Sequence, residues 1–290
     1  MKKNKGKTMS VILVIILIAG LCIFLYPTVG NLLNRMTSGA QITEYKSSVS
    51  EMDTTELDEK LEAARAYNKI LSDLSLGVGT PNSASLLKEN LEKFCVGDLV
   101  CFVSIPQIDV YLPVYSGDAE KALNKGIWLI EKTSLPVGGE NTHAVLSGHR
   151  GLPSAKLFTN LDKLETGDMF FVHVLDETLA YEIDSIKTVL PSEAKDVGIV
   201  QGEDYVTLVT CTPYAVNTHR LLIRGTRVEY SEEKALTLPH KADTAFIVPD
   251  FDVVFAGVLV IALIIVLTAI GRTNRKKKRI SKKESNRYFD

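Results

Sequence analysis

Thr207-Leu208-Val209-Thr210-Cys211-Thr212-Pro213-Tyr214, followed by His219-Arg220-Leu221-Leu222-Ile223-Arg224, carries two strand patterns broken by a proline. Successive strand side chains point to opposite faces, so Thr207, Val209 and Cys211 share one face, and Leu208 and Thr210 the other. Pro213 has no amide hydrogen and cannot continue a sheet ladder, so the strand ends near Cys211. A second strand begins near His219. If the two form a hairpin around residues 212–219, Arg220 sits across from Cys211, where cross-strand Cβ atoms lie about 4.5–5.5 Å apart.

The same alternation recurs upstream. Leu99–Ile105, Val110–Tyr115, Ile127–Ile130, His143–Ser147, Met169–Val174 and Thr178–Leu190 are short apolar runs. They are bounded by Pro106 and Asp109, Gly126, Pro136-Val137-Gly138-Gly139 and the hairpin signal Asp176-Glu177. With Tyr205–Cys211 and His219–Tyr230 they make about eight strands, which predicts a mainly β chain closed into a barrel or packed as a sandwich. Asp118–Lys125 reads as one or two helical turns and Ala155–Leu164 as a short helix with Leu157, Phe158 and Leu161 inward. Before the strands, Asp53 to Leu74 reads as an amphipathic helix, capped by Asp53 with Glu56 three residues on. Gly77-Val78-Gly79-Thr80-Pro81-Asn82 breaks it, and Ser85–Phe94 is a second short helix. Pro27–Ser50 reads as a mixed polar stretch, and Ser231–Pro249 as a polar linker.

The ends differ in character from the middle. Net charge is -2, yet residues 27–250 hold 20 basic and 32 acidic side chains. An acidic middle argues against nucleic acid as a partner, because phosphate binding needs Lys and Arg. Met9–Tyr26 is free of charge and follows Lys2, Lys3, Lys5 and Lys7. Val253–Ile270 is free of charge and precedes Arg272 and Arg275-Lys276-Lys277-Lys278-Arg279. Each run is close to the length that spans a bilayer. Basic flanks stay in the cytoplasm, so both termini point inward and 27–250 lies outside. The first run also has the pattern of a cleaved signal peptide, but Leu25-Tyr26-Pro27 is a poor cleavage site. A lipoprotein signal ending at Cys22 would need a small residue where Leu21 stands. The expected organisation is a basic tail (1–8), an anchor (9–26), a helical extracellular segment (27–96), a β domain (97–230), a linker (231–250), a second span (251–270) and a basic tail (271–290).

An exterior domain can hold disulfides, and Cys95 with Cys101 is one pairing. The two serve equally well as small buried apolar residues. Cys211 is then the odd thiol and the candidate nucleophile. A permanent cation such as Arg220 favours a thiolate, and its rigid donors suit an oxyanion. A proton must still reach the leaving amine, which calls for a histidine. His240 lies in the linker, His173 alternates in a strand, and His219 points to the face opposite Arg220. His149, flanked by Gly148 and Gly151, has a modest lead over His143 on spacing alone.

Thr207–Cys211 with Arg220 nine residues on resembles the signature of the sortase family. Leu146-Ser147-Gly148-His149-Arg150-Gly151-Leu152-Pro153 and Ser134-Leu135-Pro136-Val137-Gly138-Gly139 resemble the segments of its class C, the pilus-building sortases. The likeness covers roughly residues 100–228. It implies an eight-stranded sortase-type β-barrel and an active site of Cys211, His149 and Arg220 that uses neither metal nor cofactor. It implies attack by Cys211 on the Thr–Gly bond of an LPXTG-like sorting signal, protonation of the leaving Gly by His149, and resolution of the thioester by a pilin lysine. Pilin subunits and the lipid bilayer are the partners it implies. One feature departs from the class: the Asp-Pro-aromatic lid triplet is missing from Asp73–Ser85, where Asp73 precedes Leu74 and Pro81 precedes Asn82. Three other readings stay open: attachment of surface proteins to a cell-wall precursor, a cell-wall cysteine peptidase of the NlpC/P60 kind, and an inert bitopic scaffold. The second places Cys before His in the chain, the reverse of the order here.

Overall fold

The structure is a computed structural model that describes residues 5–194, 197–239 and 257. The chain divides into two compact units, Met1–Gly30 with Ala245–Asp290, and Asn31–Thr244. In the first unit the described part is chiefly the start of a helix, α1 (Lys5–Ser50). Among the described residues, α1 is the helix long and apolar enough to cross a membrane. The second apolar run, Val253–Ile270, lies outside the described residues except for Gly257.

In the second unit the strands are β1 (Leu99–Ile105), β2 (Val110–Tyr115), β3 (Ile127–Leu129), β4 (Thr142–Gly148), β5 (Met169–Val174), β6 (Glu177–Val189), β7 (Asp204–Thr212) and β8 (His219–Val228). They close into one barrel in the order β1-β2-β3-β4-β7-β8-β6-β5. The expected barrel is therefore the one that forms. Closure pairs every strand on both sides and leaves no open sheet edge. The barrel interior is filled by Val103, Ile105, Ile127, Leu146, Phe158, Phe170, Tyr181, Leu208 and Ile223, all essentially buried. Gly225 has no side chain because Phe170 packs there: an added Cβ would come within 2.6 Å of its ring.

Helices α2 (Thr54–Ser75) and α3 (Ser83–Phe94) precede the barrel, and α4 (Ala119–Lys125) and α5 (Glu232–Leu236) are short. Asp53 caps α2 as its sequence predicts, accepting from the Glu56 amide at 2.9 Å. Buried Asn68 then docks α2 on the barrel. Its amide nitrogen donates to the Leu135 carbonyl (2.9 Å), and its carbonyl accepts from the Leu135 amide (2.7 Å).

One local expectation fails and another is sharpened. Residues 27–50, read as a mixed polar stretch within the helical segment 27–96, are helical throughout, and Pro27 lies inside α1. The polar composition of 31–50 conceals one apolar stripe, in which Ile42, Tyr45 and Val49 pack on Phe102 of β1. The Tyr45 hydroxyl also accepts from the Leu175 amide at 2.9 Å, Tyr115 donates to Gln41, and Arg35 pairs with Asp109. The helix expected over Ala155–Leu164 shrinks to a 3-10 turn at Leu161–Lys163. Leu157, Phe158 and Leu161 are buried as expected, but Leu157 holds a φ of 33°, outside any helix. Cys95 and Cys101 are free thiols: Cys101 is buried, and Cys95 lies 3.4 Å from the Ser116 hydroxyl. Burial pushes both thiols up, so neither is an easily ionised group.

The outer face of β1 and β5 carries His173, which is half-buried. Its ring stacks on Phe102 with centroids 4.5 Å apart, and its nitrogens meet the hydroxyls of Ser104 (2.7 Å) and Thr178 (3.0 Å). Burial, aided by the Lys46 cation, lowers it from 6.5 to about 4. The unfolded imidazole takes a proton near 6.5 and the folded one near 4, so the unfolded state binds more protons between these values. Stability from this residue is complete above 6.5 and is lost as the pH falls toward about 4. His173→Gln is expected to flatten the dependence of unfolding free energy on pH over that interval, measured by urea denaturation at a series of pH values.

Candidate active site

Three adjacent strands build the site. β4 and β7 run parallel, with Thr142 opposite Asp204 and Ser147 opposite Val209. Carried forward two residues, that register sets His149, just past the end of β4, beside Cys211. β7 and β8 run antiparallel, and Cys211 is the direct partner of Arg220. The hairpin register expected from the loop length is the one that forms. His149, Cys211 and Arg220 therefore collect at one end of the β4-β7-β8 segment, each of them half-buried.

The faces are those that alternation predicts. Val206 and Leu208 enter the barrel core. Thr210 also lies on this inner side, buried, with its hydroxyl donating to the Gly148 carbonyl at 2.8 Å. Val209 lies on the outer face, against Val145 and Leu222. Ile130, Val189 and Val197 border this patch, which makes an apolar floor next to Cys211.

His143, the competing histidine, is held elsewhere. It is buried, with one ring nitrogen 2.7 Å from the Thr207 hydroxyl and the other 2.8 Å from the Gly198 carbonyl. It pins the β6–β7 connection to the sheet, and both nitrogens are occupied in doing so. His149 is lowered by burial alone, so its neutral form is favoured, and its protonated form is a readier acid than a solvated imidazolium. The Arg220 guanidinium donates to the Asn217 and His219 carbonyls at 3.2 and 3.0 Å, which bends it back along its own hairpin loop.

The contacts of two neighbours escape a sequence reading. Arg150 follows His149 and donates to the Thr212 hydroxyl at 3.2 Å, and it pairs with Asp162. Phe158, fully buried, donates its amide to the His149 carbonyl at 3.1 Å. Phe158 also explains Gly148, where an added Cβ would come within 2.5 Å of the ring. The one signal available in the sequence was the glycine pair around His149-Arg150, which marks a constrained turn without naming what constrains it.

Residues 103–228 match the family model described as the sortase domain. The chain belongs to the sortase family. It is 45% identical to a crystal structure of Streptococcus pneumoniae sortase C, over 66% of this chain and 97% of that one, with a TM-score of 0.57. Streptococcus agalactiae sortase C1 is 44% identical over 68% and 99% of the two chains, with a TM-score of 0.61. Clostridium perfringens sortase C, solved with its C-terminal cell wall sorting motif, is 41% identical over 66% and 99%, with a TM-score of 0.58. Among curated proteins, Staphylococcus aureus sortase A is 26% identical over 75% of this chain and 93% of that one. Sortases are cysteine transpeptidases, and this sortase is an enzyme of that kind. Its likeness to solved structures is to the class C, pilus-specific group.

Gly148→Ala tests how tightly the turn is fixed. The methyl group cannot be accommodated against a fully buried ring, so the His149 turn must shift. The variant is expected to lose about 1–3 kcal/mol of stability in denaturant unfolding. Transpeptidation by the remaining folded protein should fall by about tenfold or more, since small misplacements of reacting groups are costly.

Proposed function

We propose that this sortase is a membrane-anchored pilus transpeptidase in which Cys211 is the nucleophile, His149 the proton carrier and Arg220 the oxyanion and backbone donor. The observation that carries the reading is the pairing of Cys211 with Arg220 across β7 and β8, at the same strand ends as His149. Residues 97–230 are the catalytic domain on this reading. Residues 9–26 and 251–270 cross the membrane with both basic tails inside, which leaves the catalytic domain outside.

The chemistry follows from the groups present. The Cys211 thiol gives its proton to neutral His149, and the resulting thiolate attacks the Thr carbonyl of an LPXTG-like sorting signal. Arg220 donors hold the oxygen as it becomes negative. The Thr–Gly bond breaks, and protonated His149 gives its proton to the departing Gly amine. A thioester joins Thr to Cys211. A lysine amine from another pilin then attacks that carbonyl, loses a proton to His149 and expels the thiolate, and an isopeptide bond remains. The apolar floor of Val145, Val209 and Leu222 supplies a surface for the Leu and Pro of the signal. The half-burial of His149 supports its role, because a group with a lowered pKa is neutral at rest and donates readily once charged.

The test is mass spectrometry of the full-length protein in detergent with an LPXTG-type peptide. An acyl adduct on Cys211 is expected, absent in Cys211→Ala and at least about a hundredfold slower to form in His149→Ala, as for removal of a general acid–base. Adding pilin should convert the adduct to an isopeptide product, and replacing the pilin's acceptor lysine should abolish it. Transfer to a cell-wall precursor amine with no transfer to pilin would instead assign the chain to surface-protein attachment. No adduct on Cys211 would overturn the reading altogether.

A further inference from the structure

We propose that Arg150 is a positioning residue for the transfer reaction, a guanidinium that ties the strand end bearing His149 to the strand end bearing Cys211. The inference rests on the reading of His149 and Cys211 just given and adds a residue to it.

Two hydrogen bonds bracket the catalytic pair. One residue before His149 and Cys211, the Thr210 hydroxyl donates to the Gly148 carbonyl at 2.8 Å. One residue after them, Arg150 donates to the Thr212 hydroxyl at 3.2 Å. The first bond lies on the buried inner side, and the second lies beyond the end of β4, where no ladder bond remains to hold the strands together. Without Arg150 the His149 turn would leave β7 one residue too early to keep its register with Cys211.

The setting of the guanidinium supports this role. The Arg150 side chain is only 8% exposed, whereas its partner Asp162 is 45% exposed. Burying a guanidinium is costly unless its partners compensate. Here the compensation is incomplete: the buried Nε has no hydrogen-bond partner. The Tyr214 ring, from the loop after Cys211, covers the guanidinium with its centroid 5.9 Å away. A cation placed for stability alone would sit where all its donors are met. This one is held by a carboxylate on one side and by the residue next to Cys211 on the other. Arg, with two usable nitrogens in a rigid fork, can reach both at once, and Lys cannot.

The test compares acylation of the full-length protein in detergent across Arg150→Gln, Arg150→Lys, Thr212→Val and the Arg150→Gln/Thr212→Val double variant. The readouts are the single-turnover rate of acyl-adduct formation on Cys211, the peptide KM, and the fraction of folded protein. Arg150→Gln should slow acylation by about tenfold per folded molecule, with KM changed less than about twofold. Arg150→Lys should not restore the rate. Thr212→Val should slow it by several-fold, and the double variant should be no slower than Arg150→Gln, since both remove one contact. Multiplying effects in the double variant, or a wild-type rate per folded molecule in Arg150→Gln, would overturn the proposal. Where Arg150→Gln does not fold, Thr212→Val decides: it keeps the Arg150–Asp162 pair and must still slow acylation. A wild-type protein that forms no adduct would sink the catalytic reading itself, and the positioning role with it.

Discussion

The parallel pairing of β4 with β7 is the constraint on which the rest of the site depends. Parallel neighbours need a long crossover, and here the chain travels from Gly148 through β5 and β6 before returning as β7. That detour brings a histidine and a cysteine from distant parts of the chain to the same sheet end. The antiparallel hairpin of β7 and β8 then adds Arg220 with little further ordering, because its loop is short. The barrel thus fixes three backbones before any side chain is chosen. The side chains beside the site, Thr210, Arg150 and Phe158, only trim what the pairing has placed.

This division explains what was legible in the sequence. The hairpin was legible: Pro213 sets the end of one strand, and the short loop sets the partner of Cys211, so a local rule suffices. The choice of His149 over His143 was not. Both lie in or beside β4, and what separates them is the company each keeps, with His143 bonded to Thr207 and Gly198 from another strand and its connection. Contacts across such separations leave no trace in local spacing. Arg150 is the sharper case. It stands in full view next to His149, but its partners Asp162 and Thr212 belong to other elements. Two segments were legible only in part, for the same reason. Residues 31–50 are too polar to announce a helix, and tertiary contacts through Ile42 and Tyr45 hold it on the barrel. Residues 155–164 carry helical spacing, yet the burial of Phe158 beneath Gly148 dictates an irregular path.

The histidines show how one residue type is sorted by burial. His143 is lowered by desolvation and tied at both nitrogens, which makes it a neutral strut. His173 is lowered further, between aromatic stacking and two hydroxyls. His149 is lowered by burial alone, beside the strand end that carries Cys211. Desolvation acts on all three, and only the last is placed to move a proton near Cys211.

The missing lid triplet can be judged on geometry. Asp73 and Leu76 line a cavity of about 430 Å³ with Gly138–Thr142 and Gln201, near where β4 and β7 begin. Cys211 stands at the other end of β7, about 23 Å away at roughly 3.3 Å per strand residue. The connection between α2 and α3, Leu76–Asn82, closes on itself: the Val78 amide donates to Asp73, the Leu76 amide to Ser72 and the Ser83 amide to Thr80. The segment as folded is thus tied down near the end of β7 away from Cys211. The loops that meet at the thiol include instead the turn from His149 to Asp162, which Arg150 ties to Thr212 on the strand of Cys211.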